Sequence, residues 1–282
     1  MITDHDMHEF LPLPQYIKVI EMKKAAAFFF SLWLLSPFAS ANTSMTDLTD
    51  LWWNPNESGW GVTATHQDKV VFLTFFVYGP DNRATFYTGE AVHTGQTSTG
   101  ALIFSGPMLQ TSGPWFGGFF NPNLVSRPPR EVGRVTFTAF VDTATLNYSV
   151  DGTFVTKALT RQTFGNNNLT GGYAGAISET TAGCANASNN GTTETIVGVS
   201  VVNSATSFAM TTNANGSVCD YKGDYRQSGR MGSSTGTYTC PGLAGNYRMF
   251  EIEANPSGMT ARFSASDNTC PQITGRLGFV TR

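Results

Sequence analysis

Three tryptophans, Trp52, Trp53 and Trp60, fall within Leu51–Gly61 and surround a single carboxylate, Glu57. An acid among indole rings is one way to hold a sugar: its CH faces stack on the rings and a hydroxyl donates to the carboxylate. Glycoside hydrolysis would need two carboxylates facing each other across the bond. Glu57, Asp81, Glu90 and Glu131 are the candidates in the first half, and no spacing among them forces two together. The plainer alternative for Glu57 is structural, capping the amide of Ser58 or Gly59. Glu251 and Glu253, with Arg248 and Arg262 nearby, read as cross-strand ion pairs. His66 and His93 have no neighbours at ligand spacing and read as ordinary surface groups. No GxSxG, HExxH, P-loop or dinucleotide glycine pattern occurs. No catalytic residue, metal or cofactor is therefore assigned.

The four cysteines, Cys184, Cys219, Cys240 and Cys270, all lie in the second half and are spaced 35, 21 and 30 residues apart. Without a CxxC or Cys-His cluster they do not read as a zinc site. They read as two disulfides of an exported domain. A meander favours neighbouring partners, which gives Cys184–Cys219 with Cys240–Cys270. The rival is Cys219–Cys240 with Cys184–Cys270, because a turn within Gln227–Gly232 would set Cys219 opposite Cys240.

The elements that must position these groups are strands. Short β-branched and aromatic runs alternate with polar turns, and no long stretch has helical periodicity, so the fold class is all-β with antiparallel sheets. Val70–Tyr78 is apolar at successive positions and predicts a central strand covered on both faces. Gly79-Pro80-Asp81-Asn82 turns it into Thr85–Thr88. Ala101–Phe104 and Trp115–Phe120 read as further strands. Val135, Phe137, Ala139 and Val141 alternate on one face of the next. Asp151-Gly152 joins two strand signals as a hairpin. Trp52-Trp53-Asn54-Pro55-Asn56 and Phe119-Phe120-Asn121-Pro122-Asn123 share one pattern, an aromatic strand end closed by an Asn-Pro turn. The polar stretch Gly165–Asn168 reads as flexible and divides a tryptophan-rich domain, 42–164, from a cysteine-containing one, 169–282. Up to eight strands are readable in the second, from Gly172-Tyr173 to Ile273–Val280. They predict a meander or small barrel, with an open sheet or sandwich as the alternative.

Charge and leader set the compartment. Met22-Lys23-Lys24, the apolar run to Leu35 and Ala39-Ser40-Ala41 predict a secretory signal over 22–41, cut after Ala41. Residues 1–21 then read as a mis-assigned gene start, with a long n-region of the signal as the alternative. Removing 1–41 leaves 14 basic and 16 acidic residues of the original 17 and 20, with no basic block. That excludes nucleic acid as a partner. No later segment is long and apolar enough to cross a membrane as a helix. The expected location is exported, periplasmic or extracellular.

At Trp52, Trp53, Asn54, Pro55, Glu57, Ser58, Gly59, Trp60 and Gly61 the chain resembles a group of secreted proteobacterial β-rich proteins with a W-[W/Y]-N-P-x-E-S-G-W-G signature. The similarity continues at Gly113-Pro114-Trp115-Phe116, Tyr148–Gly152, Cys219, Tyr221, Gly223, Gly229-Arg230-Met231 and Cys240. The resemblance implies export and a β-rich fold and carries no chemistry. The expected function is a non-enzymatic binding or cell-surface protein for a glycan or protein ligand. Trp52, Trp53, Glu57 and Trp60 are its candidate ligand residues; the alternative is an aromatic lid on the sheet core, and alternation along a strand puts Trp52 and Trp53 on opposite faces, so that one of them enters the core. A structural protein pairing through β edges, or a glycan hydrolase, are the alternatives.

Overall fold

The computed structural model describes residues 45–282. The signal segment 22–41, its cut after Ala41 and residues 1–21 lie outside the described residues. Sixteen strands follow, all antiparallel, in two closed barrels of eight. The first consists of β1 (Asp50–Trp53), β2 (Gly61–Gln67), β3 (Val70–Tyr78), β4 (Ala84–Gln96), β5 (Leu102–Gln110), β6 (Arg130–Ala139), β7 (Thr143–Val150) and β8 (Thr153–Arg161). Each strand pairs with the next, and β8 returns to β1 through Trp52–Arg161 and Trp53–Thr160.

Period-two alternation sends one set of side chains inward. Trp52, Val62, Ala64, Leu73, Phe75, Phe104, Met108, Phe137 and Leu146 fill the barrel. The alternation of Val135, Phe137 and Ala139 is as expected, and all three are buried. The two-sided cover expected for Val70–Tyr78 is absent. Phe75 is fully buried, but Phe72 and Phe76 are 43% and 51% exposed. A single closed sheet has only one inside, and among the described residues no second layer covers the outer positions of β3. Trp115–Phe120 is not a strand either, and belongs to the long β5–β6 connection.

The second barrel consists of β9 (Gly171–Ala182), β10 (Gly191–Asn203), β11 (Ser207–Ala214), β12 (Ser217–Ser228), β13 (Met231–Cys240), β14 (Leu243–Asn255), β15 (Gly258–Asp267) and β16 (Gln272–Thr281). All eight readable strands are present, and β16 closes on β9. Five tyrosines, Tyr173, Tyr221, Tyr225, Tyr238 and Tyr247, pack into or against its core with Met210, Met249 and Met259.

The favoured cysteine pairing is corrected. The bonds are Cys184–Cys270 and Cys219–Cys240. The β12–β13 hairpin turns at Gly229-Arg230 and aligns Asp220 with Thr239, so Cys219 and Cys240 come next in register. Pairing of β9 with β16 brings the connections after Ala182 and before Gln272 together, which joins Cys184 to Cys270. Neighbour pairing would hold in an open meander; closure changes which loops are adjacent.

The β12–β13 turn also meets the first barrel. Gly229 has φ +59°, and a side chain there would strike the Asp50 carboxylate, 2.1 Å from its Cβ position. The Arg230 amide donates to Asp50 at 3.1 Å, and its guanidinium to the Thr49 carbonyl at 2.8 Å. The same guanidinium pairs with Asp47 and Glu253. The stretch 165–168 is held rather than loose. Gln227 donates to the Gly165 carbonyl at 2.7 Å and accepts from the Asn167 amide at 2.7 Å.

Candidate functional site

Asn54, at the end of β1, starts the loop that carries the tryptophan signature. Its side chain accepts from the Asn56 amide at 2.9 Å and its carbonyl from the Glu57 amide at 3.0 Å. Asn121 repeats the arrangement with the amides of Asn123, at 3.0 Å, and Leu124, at 3.1 Å. The two pentapeptides therefore make the same turn. What precedes each turn differs: Trp52 is buried in the barrel, while Phe119 and Phe120 face water.

Trp52 is removed from the ligand set. It has no exposed surface, donates from Nε1 to the Leu48 carbonyl at 3.0 Å and meets Phe137 edge-on at 5.3 Å. Trp53 lies one position further along β1, opposite Thr160 on the outer face, and is half-buried. Trp60 is also half-buried, packed against the barrel core. Glu57 caps neither Ser58 nor Gly59. Its Oε2 accepts from Lys157 Nζ at 2.6 Å and from Trp60 Nε1 at 3.1 Å. Lys157 Nζ lies 5.5 Å from the Trp60 ring centroid. The hydrogen bond from Lys157 holds the Glu57 carboxyl below its usual range, against the opposing effect of burial. Burial, and then the Glu57 and Tyr87 charges, push the Tyr148 hydroxyl up. The anchor carboxylate is thus internally paired, and the three tryptophans do not form one open platform.

Open space lies beside this loop, on the outer wall of the barrel. A cleft of about 470 Å³ runs from Asn54-Pro55-Asn56 across β8, β7 and β6 to the β4–β5 connection. Six threonines line it, Thr97, Thr99, Thr138, Thr143, Thr145 and Thr160, together with Phe140 and no charged side chain. Phe140 is 44% exposed. Phe140 and Thr143 also line a second cleft of about 380 Å³, bordered by Arg226, Arg248 and Phe250 of the second barrel. The two clefts therefore meet at the β6–β7 turn. Sequence reasoning missed these threonines. Thr138, Thr143, Thr145 and Thr160 sit on the outer face of β6, β7 and β8, Thr97 and Thr99 in the β4–β5 connection, and only the strand order brings them together.

The remaining titratable candidates are occupied by structure. Asp81 pairs with Arg83 at 3.8 Å and Glu251 with Arg262 at 3.3 Å, while Glu253 turns to Arg230. Glu90 and Glu131 are exposed on β4 and β6. The histidines are not surface groups, contrary to expectation. Both pack on Phe104, each with ring centroids at 5.3 Å, and the His66 side chain is 6% exposed. Among the described residues, no group of three or more His, Cys, Asp or Glu side chains could hold a metal ion. The chain matches no protein-family model and no curated protein.

Proposed function

We propose that this chain is an exported, non-enzymatic binding protein that takes a neutral glycan in the threonine-lined cleft. The observation that carries the reading is the lining itself: six threonines, Asn54, Asn56 and a half-exposed Phe140, without a charge. Hydroxyls and amides can donate to and accept from sugar hydroxyls, and the Phe140 ring offers a face for stacking. A binding site needs a few placed polar groups around apolar surface, and the cleft is within the size range of such sites. The engagement of Glu57 with Lys157 favours binding over hydrolysis, because a carboxylate held ionised by a cation is a poor general acid. The test is titration calorimetry of the mature chain against a panel of neutral oligosaccharides. Phe140→Ala and Thr143→Val should abolish heat release while leaving the unfolding temperature within a degree or two. Failure of every neutral oligosaccharide to bind at millimolar concentration would remove the reading.

One observation favours the second reading, assembly through a strand edge. Residues 191–197 of β10 pair with β9, but β11 joins β10 only from Gly198 onward. Backbone groups on that side are open to an added strand. Sedimentation at increasing concentration would show self-association through it, and Thr195→Pro would suppress that association.

A further inference from the structure

At one end of the first barrel lie its β1–β2, β3–β4, β5–β6 and β7–β8 connections. The β5–β6 connection there is a closed loop. Its base is tied twice: the Ser126 amide donates to the Ser112 carbonyl, and the Ser112 amide to Ser126 Oγ, each at 3.0 Å. Within it the Gly118 amide donates to the Trp115 carbonyl at 3.2 Å, and Pro122–Leu124 form a 3-10 turn. Gly117 lies under the Trp115 indole, whose nearest ring atom would be 2.4 Å from a side chain there. The loop is therefore folded on itself, of the compact kind that closes at its own neck. Its apolar side chains nevertheless point to water. Trp115, Phe116, Phe119, Phe120 and Leu124 are 72%, 96%, 103%, 70% and 58% exposed.

We infer that this loop seats the protein on a lipid bilayer. An ordered loop that displays large aromatic groups outward pays for that exposure unless something covers it. Between Thr111 and Ser126 there is no Asp, Glu, Lys or Arg. Arg127 follows directly and is exposed, and Arg130 lies beside it, paired with Asp151 at 2.7 Å. An uncharged aromatic tip followed by arginines matches the order of layers met on entering a membrane in reverse: cations at the phosphates, indole and phenyl rings at the acyl boundary. Phe154, on the β7–β8 hairpin at the same barrel end, is 85% exposed and adds to the tip. None of these apolar residues lines either of the clefts described above, so the tip is presented outward and not as the wall of a groove. The clefts described above mix apolar groups such as Phe140, Leu159, Met231 and Phe250 with polar ones, so a second copy is the rival occupant that the experiment must separate from a bilayer. The outer positions of β7, Thr143, Thr145, Asn147 and Ser149, are polar, and Phe72 and Phe76 on β3, at 43% and 51%, are less exposed than Trp115, Phe116, Phe119 and Phe120 of the loop. This inference is independent of the glycan cleft, which lies on the barrel wall.

The experiment is co-sedimentation of the chain from Asn42 to Arg282 with vesicles, one set of phosphatidylcholine and one of phosphatidylethanolamine with phosphatidylglycerol. Binding to both is expected, retained in about 1 M salt, where screening acts within roughly 3 Å. The double variants Trp115→Ser/Phe116→Ser and Phe119→Ser/Phe120→Ser should each weaken partitioning about a hundredfold, roughly tenfold per ring. Their circular dichroism and unfolding temperature should stay those of the native chain, since the rings touch little but the loop. Absence of native binding to either vesicle overturns the inference. So does binding that the variants leave unchanged, or binding that salt abolishes, since either assigns the contact elsewhere. Light scattering that reports a native dimer, dissociated by the variants, would assign the loop to a second copy and likewise overturn it.

Discussion

The guanidinium of Arg161 lies 4.7 Å from the centroid of the Trp52 indole, and both side chains are buried in the first barrel. The two residues are partners across the β1–β8 closure. Arg161 donates to the carbonyls of Val141 at 2.5 Å and Asp47 at 2.6 Å, and to Asp50 at 3.2 Å. One cation thus satisfies acceptors from two separate segments, Asp47–Asp50 and Val141, while its face covers the ring.

Replacing Arg161 by Ala should destabilise the chain by roughly 3–5 kcal/mol, because Asp50 and the carbonyls remain buried without their donor. Trp52→Ala should cost a similar amount, about 3–5 kcal/mol, through lost burial and the cavity left behind. Chemical denaturation followed by fluorescence measures both. Losses below about 1 kcal/mol for either would mean that this pair is not central to the core.

The disulfides should behave unequally. Cys184–Cys270 closes a separation of 86 residues and Cys219–Cys240 one of 21. In the chain-entropy account the longer loop contributes about 1 kcal/mol more, each bond being worth roughly 2–4 kcal/mol. Replacing each pair with serine and comparing unfolding midpoints tests the order. Peptide mapping without reduction should recover Cys184 joined to Cys270; recovery of Cys184 joined to Cys219 would refute the connectivity.

Acid stability should depend on Asp267. Burial alone would raise its carboxyl, but the Thr269 hydroxyl, the amides of Cys270 and Thr269, and Tyr238 hold it at about 2, below the ordinary 3.8. A depressed folded value stabilises the native state above the unfolded value. That contribution fades as pH falls from about 4 through 2. Asp267→Asn should therefore lower the unfolding temperature at pH 7 and make little difference near pH 2. Glu179 has the opposite sign. Burial, and then the Asp267 charge, raise its carboxyl, so ionisation at neutral pH opposes folding. Glu179→Gln should raise the unfolding temperature at pH 7 and lose that advantage in acid.

Arg230 joins the barrels, so Arg230→Ala should act on their coupling. Loss of its bonds to Thr49, Asp47 and Glu253 should cost about 1.5–3 kcal/mol. Limited proteolysis should then cut within 165–168 and release two folded fragments. The native chain should resist that cut for longer, because Gln227 holds Gly165 and Asn167. Equal cleavage rates would show that the junction does not govern access to this stretch.

Local signals in the sequence were legible where one face of a strand decides the pattern. Val135, Phe137 and Ala139 announced their inward face, and Asp151-Gly152 its hairpin, which is present with both residues at positive φ. All eight strands of the second barrel were readable. What was not legible depends on closure. Cys184 finds Cys270 only because β16 returns to β9. Phe72 and Phe76 carry the same strand propensity whether or not a second layer covers them. The site was less legible still. Glu57 sits 100 residues from Lys157, and nothing near it announced that partner. Phe119-Phe120 read as a strand because aromatic pairs score alike in a core and on a loop tip.

The short closure of the first barrel has a consequence for its motion. Along the second barrel β9 and β16 run paired from Tyr173 to Ala182, but β1 meets β8 only at Trp52 and Trp53. Were the ladder alone to hold the seam, the barrel would unzip there first, with amides exchanging while the rest stays shut. Arg161 sits at that spot and takes over where the ladder ends. Opening the seam must break its bonds to Asp47, Thr49 and Val141 and lift it from Trp52. Backbone breathing and core unpacking are thereby made one event, and the weakest edge of the ladder opens only with the barrel as a whole.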